Sequence, residues 1–190
     1  MENTTPWMDR AVALLGTSEV AGSVDNPTIV QFFAEVGQDW IKDDETAWCA
    51  AFAGTMLKRS GYSIPDGIET VRARAYNETV GTKVTTPKYG DIVLLNYGNK
   101  GVIDHVSFYV EDLGNGLVKC LGGNQSDKVK YSNFKKEDIV GYFRPQRVTN
   151  TQTPSPTVHQ PPVPTPHPET STKTESALVK FLKWLISLIS

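Results

Sequence analysis

The sequence predicts an α+β fold, with helices in the first part of the chain and an antiparallel sheet after them. Before Gly90, proline and glycine residues delimit segments with helical character. After Gly90, short runs rich in Val, Ile, Tyr and Phe alternate with Gly, Asn and Asp, which is typical of strands and turns. Helices that are segregated from strands in this way indicate an α+β domain.

Four helices are predicted. The first two run from Pro6 to Gly16 and from Pro27 to Gly37, and in both a proline at the first helical position follows a Thr or Asn that can cap the helix. A third helix covers about residues 47–60 and ends before a glycine, and a fourth covers 71–80, "VRARAYNETV".

The predicted strands are short and separated by turn residues. They are "DIVLLNY", "HVSFYVE", "LVKCLGG" and "VGYFRP".

The composition changes abruptly near residue 149 and divides the chain into three parts. Seven of the twenty residues 151–170 are proline, so this stretch is expected to be a stiff, solvated spacer. The predicted parts are a folded domain at 1–148, a Pro/Thr-rich linker at 149–172 and a short apolar helix at 173–190.

The net charge of −2 gives no indication of nucleic-acid binding. The two cysteines, Cys49 and Cys120, are far apart, lack the spacing of a zinc site, and are not expected to form a disulfide. Cys120 lies within a predicted strand and is interpreted as a buried spectator thiol. No cofactor is predicted.

The first sixteen residues do not resemble a cleavable secretory signal. Asp9 and Arg10 interrupt the apolar run, and no basic segment precedes it. If the protein acts outside the cytoplasm, it is therefore expected to get there by a route other than a cleaved signal peptide.

Cys49 lies at the predicted start of the third helix, in "DETAWCAAF". Backbone N–H groups and the positive end of the helix dipole stabilise a thiolate there and lower its pKa, which suits a nucleophile. The alternative is a small core residue on an apolar face with Phe52, Ala53 and Met56, which is the commoner environment of a free cysteine.

His105 is the only histidine of the predicted folded part, because His159 and His167 lie in the spacer. It opens the strand "HVSFYV" beside a loop, where its side chain can reach a cleft. It is therefore the only imidazole available as a general base for Cys49. The alternative is a structural histidine.

A third polar group is expected to orient His105 through the far nitrogen of its ring. If "HVSFYV" pairs with "LVKCLGG" in a hairpin, the start of the first strand lies beside the end of the second. This places His105 near Asn124 or its neighbours. The alternative is that Asn124 only shapes a turn after two glycines.

Seven segments across residues 6–145 carry a resemblance when they are taken in order. They are "PWMDRAVALLGTSEVAG", "NPTIVQFF", "DETAWCAAF", "YGDIVLL", "DHVSFYV", "LGGNQSDKV" and "VGYFRP". Together they resemble the CHAP-type branch of the papain-like, NlpC-like cysteine peptidoglycan hydrolases, and the similarity is greatest to small phage and bacterial members that begin with "PWM".

The resemblance implies a papain-like fold that cleaves an amide bond of the bacterial cell-wall peptide. It implies that Cys49 is the nucleophile, His105 the base and Asn124 the orienting residue. The chain departs from the family in having Asp104 where a glycine commonly precedes the histidine, and Gly122 where some relatives have a glutamate.

Three further residues are assigned to substrate binding: Trp48, Glu45 and Gln125. For Trp48 a core position is an equal alternative. For Glu45, capping of the helix that begins near Cys49 is the favoured alternative.

The acidic residues Asp39, Asp43, Asp44 and Glu45 raise the question of calcium, which some CHAP relatives bind upstream of the nucleophile. Their spacing is not that of an EF-hand loop. A solvated acidic loop is favoured, and no metal site is predicted.

The segment 176–190 predicts a cationic amphipathic helix. Its polar residues are spaced four and three apart and form one stripe, which includes Lys180 and Lys183, with Trp184 at the edge. About 14 residues are too few to span a bilayer, so membrane contact at the interface is favoured. The alternative is self-association or docking on the domain.

The resulting hypothesis is a monomeric, endolysin-type enzyme that acts on peptidoglycan in the periplasm or wall. The alternatives are an exported bacterial amidase, acting as a toxin or in wall remodelling, and a catalytically inactive wall-binding module. The sequence does not distinguish endopeptidase from N-acetylmuramoyl-L-alanine amidase activity.

Overall fold

The structure is a computed structural model that describes residues 5–22, 24–96 and 101–148. Three helices precede a six-stranded antiparallel sheet, which confirms the predicted α+β class. The elements are α1 (Pro6–Val12), α2 (Pro27–Glu35), α3 (Cys49–Lys58), β1 (Gly81–Val84), β2 (Ile92–Leu95), β3 (His105–Gly114), β4 (Leu117–Gly122), β5 (Lys130–Lys135) and β6 (Ile139–Pro145).

The predicted linker and the predicted C-terminal helix, at 149–172 and 173–190, lie outside the described residues and stay predictions. In the part of the chain that the structure describes, no helix has the length and apolar character needed to cross a membrane.

The first three predicted helices form, with small differences at their ends. In α2 the side chain of Asn26 accepts a hydrogen bond from the backbone N–H of Thr28 (2.9 Å), so it caps the helix as its sequence position indicates. Thr5 precedes α1 without a side-chain cap, and α1 ends at Val12 in a series of turns. Helix α3 begins at Cys49, two residues later than predicted.

The fourth predicted helix is wrong. Residues Gly67–Val71 and Ala73–Ala75 form two short 3₁₀ turns instead. Ala73, Ala75 and Tyr76 are all buried. Side chains two residues apart point to opposite sides of an α-helix, so the burial of both Ala73 and Ala75 does not fit a surface helix with one apolar face.

The sheet has the strand order β1-β6-β2-β3-β4-β5. The predicted β3–β4 hairpin is present, with Phe108 opposite Leu121 and Tyr109 opposite Cys120. The two edge strands, β1 and β5, were not predicted. In β5 only Phe134 is buried, so its sequence lacks the apolar run that marks a central strand.

The two faces of the sheet carry separate apolar clusters. Alternate residues of β2 and β3, including Leu94, Val106 and Phe108, face the helices. The residues between them belong to a second cluster, formed by Val93, Leu95, Tyr109, Val118, Cys120 and Phe134.

Helix α3 is the centre of the helical layer. It packs against α1, α2, β3 and β4, and its residues from Cys49 to Leu57 are buried. An apolar helix covered on all sides can hold its first residue in a fixed position against the sheet.

The segment after α1 adds to the hairpin end of the sheet. The N–H of Gly16 donates to the Val129 carbonyl (2.9 Å), and the N–H of Val129 donates to the Thr17 carbonyl (2.8 Å). The N–H of Glu19 donates to the Asp127 carbonyl (3.0 Å). These bonds fix the loop that carries Glu19 beside the turn that follows β4.

Candidate active site

The thiol of Cys49 lies at the start of α3 with 6% of the residue exposed. The backbone N–H groups of Val106, Ala50 and Cys49 itself interact with the sulfur and favour its thiolate form. Because Val106 follows His105, these interactions place the thiol beside the peptide that joins the two residues.

The pKa of the Cys49 thiol is nevertheless raised, which corrects the expectation of a lowered value. Burial is the largest cause, and the negative charge of Asp104 acts in the same direction. The N–H groups of the helix start offset only part of this effect, so Cys49 rests as a neutral thiol.

His105 is the first residue of β3 and is 3% exposed. Its ring packs against Phe134, with 5.7 Å between the ring centroids, and its Nε2 lies 3.3 Å from Oε1 of Gln125. Burial lowers the pKa of His105, while the bond to Gln125 and the charge of Asp104 oppose that shift. The imidazole is therefore neutral at rest.

The amide that contacts His105 belongs to Gln125 and not to Asn124, which corrects the predicted orienting residue. Asn124 has a positive φ of 53°, which asparagine tolerates, and it forms part of the turn after β4. Gln125 is buried. The β3–β4 hairpin thus places the predicted turn beside His105, but the residue that contacts the ring is Gln125, one position after Asn124.

The hydrogen bonds of Gln125 determine which nitrogen of His105 carries the hydrogen. The Gln125 amide nitrogen donates to the Lys130 carbonyl, so its Oε1 faces His105 as an acceptor. The neutral imidazole must then carry its hydrogen on Nε2, which leaves Nδ1 as the basic nitrogen.

The two glycines before Asn124 make room for this arrangement. A Cβ atom at Gly122 would lie 2.9 Å from Oε1 of Gln125, so the glutamate of some relatives has no space here. A Cβ atom at Gly123 would lie 2.5 Å from the Trp48 ring and 2.7 Å from Cβ of Phe52. The chain after β4 therefore passes close to the start of α3.

Trp48 is a core residue and does not line an open cleft. It has no exposed surface and packs against Phe32 and Phe52, at centroid distances of 6.1 and 6.4 Å. Its indole Nε1–H donates to Oε1 of Glu19 (2.7 Å). Burial raises the pKa of Glu19, and the nearby carboxylates, of which Asp127 contributes most, add to the rise. The interpretation of Trp48 as a substrate-binding residue is therefore corrected.

Glu45 is exposed and does not cap α3, which also corrects its favoured interpretation. The N-cap position is Trp48, whose side chain makes no capping hydrogen bond. Contact of Glu45 with substrate stays a prediction.

The expectation of a solvated acidic loop is wrong for Asp44, which is fully buried. Its Oδ2 accepts hydrogen bonds from the backbone N–H groups of Val20 (3.0 Å) and Asn26 (2.8 Å). Asp44 thereby ties the loop before α2 to the loop before α3. Carboxylate oxygens of Asp25, Asp44 and Glu45 lie within 4.8 Å of one another, which is the oxygen chemistry that a hard cation prefers.

Neither described cysteine is in a disulfide. Cys120 is fully buried in β4, where burial raises its pKa to about 12.

No family model matches the chain, and no curated protein matches it. Among solved structures, the chain is similar to a lipoprotein-like protein of the NLP/P60 family from Staphylococcus aureus subsp. aureus Mu50, with 15% sequence identity and a TM-score of 0.46. The match covers 77% of this chain and 45% of that chain, so this chain spans less than half the length of that protein.

Proposed function

We propose that the protein is a peptidoglycan hydrolase that cleaves an amide bond of the cell-wall peptide. The observation that carries this proposal is the position of the Cys49 thiol beside the His105–Val106 peptide, with His105 held by Gln125. The ordered motifs of the CHAP-type resemblance support the substrate class.

In the proposed reaction, Nδ1 of His105 accepts the thiol proton as the sulfur of Cys49 attacks a peptide carbonyl. Both groups start neutral, because burial raises one pKa and lowers the other, so proton transfer accompanies attack. The carbon–sulfur bond forms and the carbonyl electrons move to oxygen. Backbone N–H groups at the start of α3 are suited to stabilise this oxyanion.

The tetrahedral intermediate then breaks its carbon–nitrogen bond. The imidazolium of His105 gives its proton to the leaving amine, which leaves an acyl thioester on Cys49. A water molecule, deprotonated by His105, attacks the thioester and releases a carboxylic acid, and the proton returns to the sulfur. In this scheme Gln125 keeps the imidazole in the required tautomer throughout.

We place the enzyme in phage-induced lysis, as an endolysin-type protein that is made in the host cytoplasm and acts on the wall. An exported bacterial amidase is the second candidate, and the same site would serve it. A catalytically inactive wall-binding module is the third candidate, in which Cys49 would be only a core residue.

Digestion of purified peptidoglycan, followed by mass spectrometry of the products, tests the proposal and identifies the bond. Cys49→Ala is expected to reduce product formation at least about 1,000-fold, since the acyl intermediate cannot form. Cys120→Ala is the matched control and should digest the wall at a rate close to that of the parent. Normal digestion by a folded Cys49→Ala variant would contradict the mechanism.

The C-terminal segment has its own test. Removal of residues 171–190 is expected to weaken binding to anionic liposomes about tenfold or more, because an apolar face with two lysines is lost. Hydrolysis of isolated peptidoglycan should be retained. Liposome binding that is equal with and without the segment would rule out its proposed role at the membrane.

A further inference from the structure

Trp40 lies in the loop between α2 and α3 and is 66% exposed. Tryptophan is usually well buried, because its large ring gains more from leaving water than any other side chain. An exposed indole in the segment that leads to the nucleophile offers a flat apolar face with a polar edge to a ligand.

The exposed indole is held in one orientation. Its Nε1–H donates to Oε1 of Gln38 (3.0 Å), and Gln38 is only 5% exposed. The Gln38 amide nitrogen in turn donates to the Gly67 carbonyl (2.7 Å) and to Oγ1 of Thr70 (3.2 Å). A rigid aromatic ring offers contact area without losing much conformational entropy when a ligand binds.

The same network reaches the helix of the nucleophile. The Tyr76 hydroxyl lies 2.8 Å from the Thr70 carbonyl oxygen and 2.8 Å from the Ala50 carbonyl oxygen, and its one hydrogen is shared between them. Gly54 leaves the necessary space, because a Cβ atom there would lie 2.2 Å from this hydroxyl. Hydrogen bonds through Gln38, Thr70 and Tyr76 thus tie Trp40 to the backbone of the residue that follows Cys49.

We propose that Trp40 is a platform for a sugar ring of the glycan strand whose attached peptide is presented to Cys49. This inference rests on the proposed function, which supplies a polymer that contains both sugar and peptide. The flat, apolar C–H face of a pyranose ring matches the exposed indole. Asp39 and Lys42, which flank the ring in sequence and are exposed, offer an acceptor and a donor to the hydroxyl and acetamido groups at the rim of the sugar.

The direct test is NMR titration with a soluble tetramer of β-1,4-linked N-acetylglucosamine. The indole N–H signal of Trp40 is expected to shift. The signal of Trp7, whose Nε1–H is bonded inside the protein to the Gly90 carbonyl (2.9 Å), serves as the internal control and should not move. A titration in which the Trp40 signal stays in place at millimolar sugar would overturn the inference.

Retention on purified sacculi tests the polymer itself, with all variants made in the Cys49→Ala background so that binding is measured without hydrolysis. Trp40→Ala is expected to weaken retention about tenfold, and Gln38→Ala, which keeps the indole but removes its anchor, about threefold. Tyr89→Ala removes another partly exposed aromatic and is the matched control, with retention expected to be unchanged. Thermal melting confirms that each variant is folded.

The outcomes separate this inference from the proposed function. If the parent protein does not hydrolyse peptidoglycan but the Trp40 signal responds to the sugar, the proposed function fails, and sugar binding at Trp40 stands without the presentation of a peptide to Cys49. If hydrolysis is found but Trp40→Ala is retained like the parent, the platform is wrong. A Trp40 signal that responds to phosphatidylglycerol vesicles and not to the sugar would also overturn it, in favour of membrane contact.

Discussion

The two buried cysteines occupy contrasting environments on either side of the sheet. Cys49 lies on the helical side at the start of α3, with three backbone N–H groups directed at its sulfur and His105 next along β3 from Val106. Cys120 lies on the other side, within an apolar cluster, and only the Ser107 hydroxyl lowers its pKa. Burial raises the pKa of both thiols.

The comparison shows that a perturbed pKa does not by itself distinguish a nucleophile from a spectator. Both shifts have the same sign and the same main cause. The difference lies in what surrounds the sulfur. The sulfur of Cys49 has backbone N–H donors that can stabilise a developing negative charge, and it lies beside the peptide that joins His105 to Val106, whereas Cys120 is enclosed in the middle of a strand.

The largest expected difference between the two thiols is their rate of alkylation in the folded protein. Cys120 has no exposed surface, whereas Cys49 is 6% exposed and has backbone N–H groups at its sulfur that favour the thiolate. Iodoacetamide is therefore expected to modify Cys49 at least about 100-fold faster. Peptide mass mapping after timed quenching measures both rates, with unfolded protein as the control for equal intrinsic reactivity. Equal native rates would show that Cys49 is no more reactive than a spectator thiol.

The next largest expected effect is a difference in kcat between variants of Gln125 and of Asn124, the two adjacent amide residues. Gln125→Ala removes the acceptor of His105 and is expected to lower kcat about 10–100-fold, since a general base contributes about 10²–10⁴ when fully positioned. Asn124→Gly keeps the positive φ of the turn and should lower kcat by less than about threefold. Steady-state hydrolysis of solubilised peptidoglycan measures both. The reverse ranking would restore Asn124 as the orienting residue.

The pH dependence sharpens the same comparison. His105 must be neutral to act as a base, and burial lowers its pKa, so activity is expected to persist as the pH falls below 6.5 and to disappear at the lowered pKa. Gln125→Glu keeps an oxygen acceptor but places a negative charge beside the ring. This charge is expected to raise the pKa of His105, so the loss of activity on the acid side of the pH–rate profile is expected to move to higher pH. An unshifted profile in this variant would argue against the contact between Gln125 and His105.

The smallest expected effect concerns the packing between β4 and α3. Gly123→Ala would force a methyl group against Trp48 and Phe52, and it is expected to lower the free energy of unfolding by about 1–3 kcal/mol. Gly101→Ala meets open space and tests conformational strain alone, at about 1 kcal/mol. Urea denaturation at equilibrium measures both. If Gly123→Ala had the stability of the parent protein, the chain after β4 would not be packed tightly against Trp48 and Phe52.

The parts of the fold that could be predicted were those with local signals. Pro27 and Asn26 mark the start of α2, and the strand runs with their turn mark the β3–β4 hairpin. The edge strand β5 has no such signal, because most of its side chains face solvent. The burial of Asp44 depends on backbone groups from a distant loop, which no local pattern reveals.

The candidate site was predictable in the same limited way. The hairpin argument brings the turn after β4 to His105, yet adjacent amides at 124 and 125 differ only in which one turns inward. Gln125 turns inward because its amide donates to the Lys130 carbonyl and because Gly122 leaves space for its side chain. The direction of the pKa shift of Cys49 could not be predicted. The start of a helix is visible in the sequence, whereas the extent to which the thiol is removed from water depends on the assembled core.

The bonds between residues 16–19 and 127–129 have a consequence for the time at which activity can arise. Loop closure over more than a hundred residues is entropically costly and slow compared with local helix formation. During synthesis, Cys49 leaves the ribosome long before the strand partner of the first loop and before Gln125. The nascent chain is therefore expected to remain inactive until almost the whole domain has emerged, and then to complete its site in one late, cooperative step.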